Sequence, residues 1–386
     1  MNQPQQPYRI CTFCVLDSRL EMLQFDANGQ CDACKLALSR MPHEWLRGEA
    51  GAAKLNALAA KLKREGHGKP YDAMIGLSGG VDSAYLAHVA VKLMGLRVLA
   101  VHVDGGWNSE AAVRNIESLV RSLDIDLFTK VIEWQEMRDL QLAFLKSSVF
   151  NQDIPQDHAF FATLYRTAAK FELRNFLSGV NFSSEGVQVP GLGHPALDGY
   201  HVLEIHKRFG TKQLKTFPIM KLSELLWMTR FRKQLTIHKP LDLIDYNKRL
   251  AIGELKEMYG WVDYGNKHCE SRFTKFYQEV VLPEKFHFDK RPFHLSSLIV
   301  AGQLDRESAI KELEKTIVET KQRRRDIRFV AKKLEIAEEA LLDLLTLSPV
   351  RHDAYPNQQV VFRLLISARS QFKRLFGIIS EIKGIR

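Results

Sequence analysis

The sequence predicts an α/β protein built on a doubly wound, mostly parallel sheet, with an N-terminal four-cysteine zinc knuckle and a helical C-terminal region. Three observations support this prediction. Apolar strand patterns alternate with helical patterns from residue 71 to about residue 184, four cysteines lie within the first 34 residues, and helical sequence dominates after residue 305. Strand–helix alternation implies parallel strands with helices on both faces of the sheet.

The alternating segment supplies the sheet and its flanking helices. The predicted strands are Ala73–Leu77, Arg97–Val103, Leu127–Val131 and Asn175–Leu177, and the predicted helices are Ser83–Met94, Ser109–Leu123 and Phe160–Phe171. A helix over Ala52–Lys63 is expected before the sheet, and Asp305 is expected to cap the first C-terminal helix. In such sheets ligands bind beyond the carboxyl ends of the strands.

Composition predicts a soluble globular chain, with 45% apolar and 26% charged residues. The N-terminal sequence MNQPQQPYR is polar, which does not fit a signal peptide, and no apolar run approaches the roughly 20 residues that a transmembrane helix needs. We therefore expect a cytoplasmic protein without a transmembrane segment. The net charge of +10 favours nucleic acid, phosphorylated small molecules or a membrane surface as partners, without choosing among them.

Four of the five cysteines form two CxxC pairs, Cys11 with Cys14 and Cys31 with Cys34, separated by sixteen residues. Each pair can occupy a tight turn that points both sulfurs inward, and two such turns complete a tetrahedral thiolate shell for zinc. Four cysteine ligands leave no open coordination position, so the predicted zinc is structural. An iron–sulfur cluster and a redox-active dithiol are the alternatives.

The first predicted strand ends in a turn with the sequence SGGVDS, after which a helical pattern begins. Adjacent glycines weaken regular structure and therefore need a reason, and a bound phosphate would be one. Backbone N–H groups of such a turn can converge on an anion at a helix N-terminus, and serine hydroxyls add donors. The predicted phosphate ligands are Ser78, Gly79, Gly80, Val81 and Ser83.

This turn is not a Walker loop, because no Gly-Lys-Ser/Thr follows it. The carboxylate of Asp82 favours a Mg²⁺–phosphate assembly over a bare phosphate. Asp104, at the end of the second predicted strand, would then contact ribose or adenine. The alternative is a serine-rich turn that only begins a helix.

SGGVDS matches the SGGxDS signature of the PP-loop ATP pyrophosphatases, which the sequence resembles. Six further stretches and the cysteine quartet make it similar to the N-acetyl sugar amidotransferases of bacterial surface-polysaccharide (LPS) synthesis. These stretches are residues 103–110, 152–158, 177–186, 214–218, 265–277 and 288–294. The resemblance spans about residues 8–315, and the C-terminal helices lie outside it.

The resemblance implies an enzyme that converts the acetamido group of a nucleotide-linked sugar to an acetamidino group. ATP would adenylate the amide oxygen with loss of pyrophosphate, and ammonia would displace AMP. Mg²⁺ is implied, with Asp82 and Glu185 as its carboxylates, and Gly179 joins the nucleotide site. The candidate cations for the triphosphate or for anionic substrate groups are Lys267, Arg272 and Lys275, of which Lys267 and Arg272 are predicted to be catalytic together with Asp82.

Some of these residues could have no role in binding. The basic residues of the 265–277 stretch could form a solvated face. His268 and His294 could hydrogen-bond the sugar, although a lone histidine is more often structural.

No ammonia-producing site is predicted within the chain. A glutaminase needs a nucleophilic cysteine with a base, or an exposed cysteine at position 2, where this chain has Asn2. The cysteine outside the quartet, Cys269, lacks glutaminase-like surroundings. The resemblance likewise implies that a separate glutaminase subunit supplies ammonia.

The predicted domains follow from these assignments. Residues 1–50 form the zinc-binding segment, 51–200 the PP-loop core, 201–300 the substrate-binding remainder of the catalytic domain, and 301–386 the helical C-terminal region. Within that region, residues 361–382 place apolar side chains at alternating steps of four and three, which predicts a packing seam. This seam could join protomers of a homo-oligomer. Alternatively, the basic residues of the same segment could bind an anionic membrane surface.

Two other functions remain open from the sequence. A tRNA thiolation enzyme would share the PP-loop fold, the cysteine knuckle and the basic charge, but generally needs further reactive cysteines. We therefore expect no nucleic-acid partner. A non-catalytic scaffold with a nucleotide-sensing site is the third hypothesis.

Overall fold

A single five-stranded sheet organises the computed structural model, which describes residues 8–189, 193–230, 235–263 and 270–365. Its strands are β1 (Ala73–Gly76), β2 (Val98–Asp104), β3 (Asp126–Val131), β4 (Asn175–Leu177) and β5 (Thr236–His238). Their order is β3-β2-β1-β4-β5, and all four neighbouring pairs are parallel. The predicted doubly wound parallel sheet is therefore confirmed.

The strand order reverses direction at β1. The chain moves outward through β2 and β3, then returns to the other side of β1 to form β4 and β5. In the register of the sheet, Ile75 pairs with Ala100 on one side and with Leu177 on the other. The loops after β1 and β4 therefore leave the same edge next to each other, at the switch point where open α/β sheets bind ligands.

The fifth strand was not predicted from the sequence. Thr236–His238 is three residues long and lies at the edge of the sheet, where Ile237 is 53% exposed. A short, half-solvated edge strand leaves neither an apolar run nor a clear alternation. The four predicted strands are all present, with ends shifted by one residue at most.

Sixteen α-helices are assigned within the described residues. They are α1 (Asp32–Glu44), α2 (Gly48–Glu65), α3 (Val81–His88), α4 (Glu110–Leu123), α5 (Trp134–Ser147), α6 (Ile154–Lys170), α7 (Phe182–Glu185), α8 (Gly199–Phe209), α9 (Leu222–Arg230), α10 (Lys248–Tyr259), α11 (Arg272–Phe276), α12 (Leu282–Phe286), α13 (Arg291–Val300), α14 (Arg306–Glu314), α15 (Thr320–Leu334) and α16 (Glu338–Thr346). A π-helix, Val89–Leu93, continues α3, and another, Tyr277–Val281, continues α11.

Three predicted helices begin earlier than expected, and the shifts of two of them matter for the site. The helix predicted from Ser83 begins at Val81, so the second half of the SGGVDS turn is its first turn. The helix predicted from Phe160 begins at Ile154, because Pro155 occupies the first turn, where its missing N–H costs nothing. The second shift places Asp153 and Asp157 at the start of α6.

Helix α5 was not predicted because polar residues are mixed with apolar ones among its buried positions. Glu136 and Asp139 are 6% and 5% exposed, and both accept hydrogen bonds from backbone N–H groups of residues 211–217. The acceptor pair therefore fastens the loop after α8 to α5. Although burial opposes it, the donors at residues 215–217 lower the pKa of Glu136 below its usual range.

Two layers of helices cover the sheet. Apolar side chains of α2, α3, α4 and α10 pack on one face, and those of α6 pack on the other. A further core joins α5, α8 and α11 to the C-terminal helices α15 and α16, which confirms the helical C-terminal region. Asp305 caps α14 as predicted, accepting from Ser308 N at 2.7 Å.

The predicted C-terminal seam falls mostly outside the described residues. Of its members, Val361 and Leu365 are described, and they are 40% and 38% exposed, while Phe362 between them is 8% exposed and packs near Ala162 and Met220. In this turn the buried side chain is Phe362, which is not a member of the predicted seam, and the seam itself stays a prediction. Within the described ranges, no helix combines the length and the apolar character that crossing a bilayer requires.

Candidate functional site

The SGGVDS turn forms a compact loop between β1 and α3. Ser78 Oγ lies 3.2 Å from Ser83 Oγ and accepts from Gly80 N at 3.2 Å, while Ser83 Oγ donates to the Gly80 carbonyl at 3.0 Å. Gly80 is the N-cap of α3, and no side chain caps this end of the helix. The first N–H groups of an uncapped helix attract an anion, and the helix dipole adds to that attraction.

Gly79 is required at its position for two reasons. Its φ of +84° lies in the left-handed region, which residues with a side chain rarely adopt. A Cβ atom there would also lie 2.8 Å from both Cβ and the carbonyl oxygen of Ala112 in α4. The glycine therefore lets α4 approach the loop closely.

We expect Gly79→Ala to lower the free energy of unfolding by about 1–3 kcal/mol, because it adds backbone strain and a contact that α4 must move to relieve. Urea unfolding measures the loss. Gly253→Ala is the matched control: Gly253 lies inside α10, and an added Cβ has no neighbour within 4 Å. Equal losses in the two variants would contradict the assignment.

Asp82 points toward the loop that follows β4. Its Oδ1 accepts from Tyr246 Oη at 2.5 Å and from Asn181 Nδ2 at 3.3 Å. Burial, followed by the charge of Asp82 and with a smaller contribution from Glu185, raises the pKa of Tyr246 well above its usual range. The tyrosine thus stays a donor, and both predicted magnesium carboxylates lie close enough to raise its pKa.

Gly179 allows the β4 loop to lie against α3. A Cβ atom on Gly179 would lie 3.2 Å from the Asp82 carbonyl group and from Ser83 N. Since β1 and β4 are neighbours, this contact brings the two loops of the switch point together. Glu185, at the end of the short helix α7, follows from the same loop.

Asp104 shapes the turn after β2. Its Oδ1 accepts from Gly106 N at 2.8 Å and from Asn108 Nδ2 at 3.1 Å. His102 lies beneath: its Nδ1–H donates to the Leu77 carbonyl at 2.7 Å, so its Nε2 accepts from Asn108 Nδ2 at 2.9 Å. The predicted contact of Asp104 with a nucleotide stays a prediction, since both bonds described for its carboxylate hold the turn.

Residues 270–272 pair with the turn after β2. Ser109 N donates to the Glu270 carbonyl and Arg272 N to the Trp107 carbonyl, both at 2.8 Å, in an antiparallel arrangement. This pairing places Glu270 beside the SGGVDS turn, where a Cβ atom on Gly80 would lie 3.1 Å from Glu270 Oε1. Glu270 was not singled out from the sequence, although it lies within the 265–277 stretch.

Arg272 and Lys275 point toward α15. Arg272 Nη2 lies 3.4 Å from Asp326 Oδ1, and its guanidinium carbon lies 4.0 Å from the centre of the Phe329 ring. Lys275 Nζ lies 2.8 Å from Asp326 Oδ2 and 2.6 Å from Glu279 Oε2. These bonds go to carboxylates of the protein, so the catalytic and cofactor roles of the pair stay predictions. Lys267, His268 and Cys269 lie outside the described residues.

A cavity of about 240 Å³ opens at the SGGVDS turn. Ser78, Asn108, Asp153 and Glu270 are among its lining residues. Asp157, Gln278 and Lys290 line both this cavity and a larger cleft of about 1440 Å³, to which Glu185, Lys275 and His294 also belong. The loop therefore opens into a space that continues into a cleft large enough for a second substrate.

The four N-terminal cysteines converge as predicted. All are fully buried, with Cys11 Sγ 3.7 Å from Cys34 Sγ and Cys14 Sγ 3.6 Å from Cys31 Sγ. Sulfurs about 2.3 Å from a tetrahedral zinc lie roughly 3.8 Å apart, so this set fits that ion. Backbone N–H groups also point at the sulfurs: Cys31 N lies 3.2 Å and Cys14 N 3.4 Å from Cys11 Sγ.

The knuckle is fastened to the C-terminal half of the chain. Arg306, in α14, donates to the carbonyl oxygens of Cys11 and Cys14 at 2.9 and 3.1 Å. Val15 N donates to Ser296 Oγ at 3.3 Å. A metal bound by the four cysteines would therefore hold a segment on which α13 and α14 rest.

Two family models match the chain. Residues 53–172 match NAD synthase, and residues 270–369 match the C-terminal domain of the WbpG-like LPS biosynthesis proteins. The chain thus combines a domain similar to NAD synthase with a domain similar to the WbpG-like C-terminal domain, called below the NAD synthase domain and the WbpG-like domain. This confirms the resemblance to PP-loop enzymes of LPS biosynthesis, and the WbpG-like match extends it past residue 315 into the C-terminal helices.

Solved structures with similarity to the chain include two synthetases. The NMN synthetase from Francisella tularensis is 16% identical, with 74% of this chain and 95% of that chain covered and a TM-score of 0.34. The NH3-dependent NAD synthetase from Campylobacter jejuni, in complex with the nitrate ion, is 17% identical, with 66% and 97% covered and a TM-score of 0.29. No curated protein matches the chain.

The cavity lies between the two matched segments. Ser78, Asn108 and Asp157 come from the NAD synthase domain, while Glu270 and Lys290 come from the WbpG-like domain. Each domain therefore forms one wall of the same space.

Asp153 and Asp157 are two further residues of the site that were not singled out from the sequence. Burial raises the pKa of Asp153 to about 6, and burial together with the charge of Asp153 raises that of Asp157 to about 7. Thr274 Oγ1 donates to Asp153 at 2.8 Å, whereas Asp157 is exposed to solvent and lines both the cavity and the cleft. The signal in the sequence was the spacing of four in QDIPQDH, which becomes visible once Pro155 marks a helix start.

Proposed function

We propose that this chain is an ATP-dependent amidotransferase that converts the acetamido group of a nucleotide-linked sugar to an acetamidino group and releases AMP and pyrophosphate. One observation carries the proposal: the SGGVDS turn, at the switch point of the sheet, opens into a cavity shared by the NAD synthase domain and the WbpG-like domain. The cavity suits ATP, and the adjoining cleft suits the sugar nucleotide.

The chemistry follows from the weakness of an amide as an electrophile. The amide oxygen attacks the α-phosphorus of ATP, the bond from that phosphorus to the bridging oxygen breaks, and pyrophosphate leaves. Ammonia then attacks the imidate carbon, and AMP leaves with the former amide oxygen. In this scheme the uncapped N-terminus of α3 and the hydroxyls of Ser78 and Ser83 bind the departing pyrophosphate.

Asp82 and Glu185 are the residues that would hold Mg²⁺, which when bound neutralises the phosphate charge that develops during adenylation. Carboxylate oxygens are the ligands that this ion prefers, and both side chains lie close enough to Tyr246 to affect its pKa. The Tyr246 hydroxyl fixes one oxygen of Asp82 and orients the other.

The cationic side chains of the site are proposed to bind the negative charge of the two substrates. Lys290 lines both the cavity and the cleft, so it can face the nucleotide phosphates or an anionic group of the sugar. Arg272 and Lys275 are bound to Asp326, and Lys275 also lines the cleft. Together with Lys267, they would complete the binding of negative charge when substrate enters.

Asp157 is proposed to accept the proton that the attacking ammonia loses. After attack the nitrogen carries a positive charge, and a carboxylate with a pKa near the working pH takes up a proton efficiently. Asp157 has a pKa of about 7 and lies where the cavity and the cleft meet.

The raised pKa of Asp157 has a stability consequence with a definite sign. An unfolded aspartate has a pKa of about 3.9, so the folded chain binds the extra proton between about pH 4 and pH 7. Stability from this group therefore falls as the pH rises through that window. We expect Asp157→Asn to raise the thermal unfolding midpoint relative to the wild type at pH 8 but not at pH 4.

Asp343→Asn, an exposed change in α16, is the control for that comparison and should be neutral at both pH values. A midpoint shift for Asp157→Asn that is the same at pH 4 and pH 8 would refute the raised pKa.

Ammonia is proposed to come from a separate glutaminase subunit, and zinc at the four cysteines is proposed to be structural. The test supplies the purified chain with ATP, Mg²⁺ and a panel of nucleotide-linked diacetamido sugars, and measures AMP and pyrophosphate. Ammonium salts should support turnover and glutamine alone should not. Formation of ADP and orthophosphate would overturn the proposal, and salt-sensitive binding of tRNA would favour the thiolation alternative.

A further inference from the structure

Two buried histidines, His194 and His201, and the partly buried His352 lie close together in the fold, in segments remote from the four cysteines. His194 precedes α8, His201 lies in the first turn of α8, and His352 begins the short 3₁₀ helix His352–Ala354. One ring nitrogen from each lies within 4.8 Å of the others. The His194 side chain and the whole of His201 are fully buried. The proposed function gives these residues no role.

The outward nitrogen of each ring lies near an oxygen acceptor. His194 Nε2 lies 3.0 Å from Asp198 Oδ2, and His201 Nδ1 lies 3.2 Å from the Pro356 carbonyl. His352 Nε2 lies 3.0 Å from Asn151 Oδ1. A carboxylate or carbonyl oxygen only accepts, so an outward nitrogen that bonds to it carries the proton. Histidines that ligate metals are held in this way.

The inward nitrogens are then left with lone pairs. His201 Nε2 and His352 Nδ1 face each other at 3.0 Å, and His194 Nδ1 is buried without a hydrogen-bond partner in the described part of the chain. Two facing lone pairs repel unless a cation lies beside them. A proton moved from Nε2 to Nδ1 of His352 would remove the repulsion between His352 Nδ1 and His201 Nε2, because His352 Nε2 could then accept from Asn151 N at 3.3 Å. This change would still leave His194 Nδ1 unsatisfied. A buried unpaired nitrogen is costly.

We propose that His194 Nδ1, His201 Nε2 and His352 Nδ1 bind a divalent transition-metal ion of the zinc class. Imidazole nitrogen is a preferred ligand of zinc, at about 2.0–2.1 Å, so that ligand nitrogens lie roughly 3.3 Å apart. His201 Nε2 and His352 Nδ1 already have about that spacing, and His194 places a ring nitrogen within 4.8 Å of a ring nitrogen of each of the other two. A water molecule would fill the fourth position.

The site has a structural role in this proposal. His201 and His352 are 151 residues apart in sequence, and Asp198 also accepts from Gln358 N at 2.6 Å. The ion would therefore join the start of α8 to the segment that follows α16. The proposed metal site does not depend on the proposed function, because none of its three histidines lines the cavity or the cleft.

The test counts metal in the full chain. After incubation with Zn²⁺ and removal of free ion, the wild type should hold two equivalents of zinc, and His352→Gln and His194→Gln should each hold one. Cys34→Ser should lose the other equivalent, and its cobalt-loaded form should lack thiolate-to-metal absorption while keeping the weaker bands of a nitrogen-ligated ion. His206→Gln, a change in α8 at a histidine bound to Asp139, should keep both equivalents.

Two results would overturn the proposal: uptake of one equivalent by the wild type, or unchanged zinc content in both histidine variants. A variant that does not fold is replaced by a measurement on the wild type, in which Zn²⁺ or Co²⁺ beyond the first equivalent should raise the thermal unfolding midpoint. No rise, together with no second cobalt spectrum, would show that the histidines only hydrogen-bond one another.

Discussion

Asp82→Asn should lower the rate of AMP formation by at least about 1000-fold while leaving the fold intact. Removal of one charge-stabilising group from a preorganised site costs about 100- to 1000-fold, and here the loss of the carboxylate would also weaken the bound Mg²⁺. Asparagine keeps the shape and can still accept from Tyr246, so the hydrogen bond at Oδ1 survives. The change therefore isolates the charge.

Product analysis by separation of AMP, ADP and pyrophosphate measures this effect under saturating ammonium. Asp124→Asn is the matched control, since it makes the same chemical change at the C-cap of α4, where a φ of +52° suits asparagine. An Asp82→Asn enzyme with wild-type turnover would remove the basis for placing the phosphates at the SGGVDS turn. Tyr246→Phe should give a smaller loss, because it frees the carboxylate without removing its charge.

Cys34→Ser should cost the chain one bound metal ion and several kcal/mol of unfolding free energy. Structural zinc sites contribute folding energy directly, and losses above about 4 kcal/mol arise from this kind of lesion. The knuckle has little core of its own: Cys11, Cys14, Leu16 and Leu23 share a cluster with Phe182, Val300 and Ala301 of the rest of the chain. Without the ion, the contacts of Arg306 with this segment should also be lost.

Metal analysis and denaturant unfolding measure these changes. Cys269→Ser is the control, because the fifth cysteine is not part of the quartet and its removal should change neither metal content nor stability. A Cys34→Ser chain that keeps its metal and its stability would show that the four sulfurs do not form the site. Iron with sulfide in the wild type would replace zinc by a cluster.

The sheet and the knuckle could be predicted because their signals are local. Buried parallel strands give apolar runs, and the spacing of the cysteine pairs alone indicates tetrahedral ligation. Helix α5 could not be predicted, because Glu136 and Asp139 are buried to bind backbone N–H groups of a loop more than 70 residues later. The buried positions of α5 mix polar with apolar residues, and this mixture hides the apolar period of the helix.

The candidate site shows the same division. The SGGVDS turn was found from adjacent residues, whereas Glu270 and Asp157 belong to the site only because distant segments fold onto that turn. The partners of Arg272 and Lys275 were hidden for the same reason, since Asp326 lies some 50 residues further along the chain. The sequence indicated that the 265–277 stretch belongs to the site, but not which partners the Arg272 and Lys275 side chains contact.

The pairing of residues 270–272 with the turn after β2 makes the two halves of the protein inseparable as a catalyst. A fragment that stopped at residue 263 would keep the whole five-stranded sheet and yet lack the residues from 270 onward that line the cavity at the SGGVDS turn. If the proposed function holds, a change of sugar preference would require replacing residues 270–290 together with the cleft, because this segment lines the proposed nucleotide cavity and also begins the domain that lines the cleft.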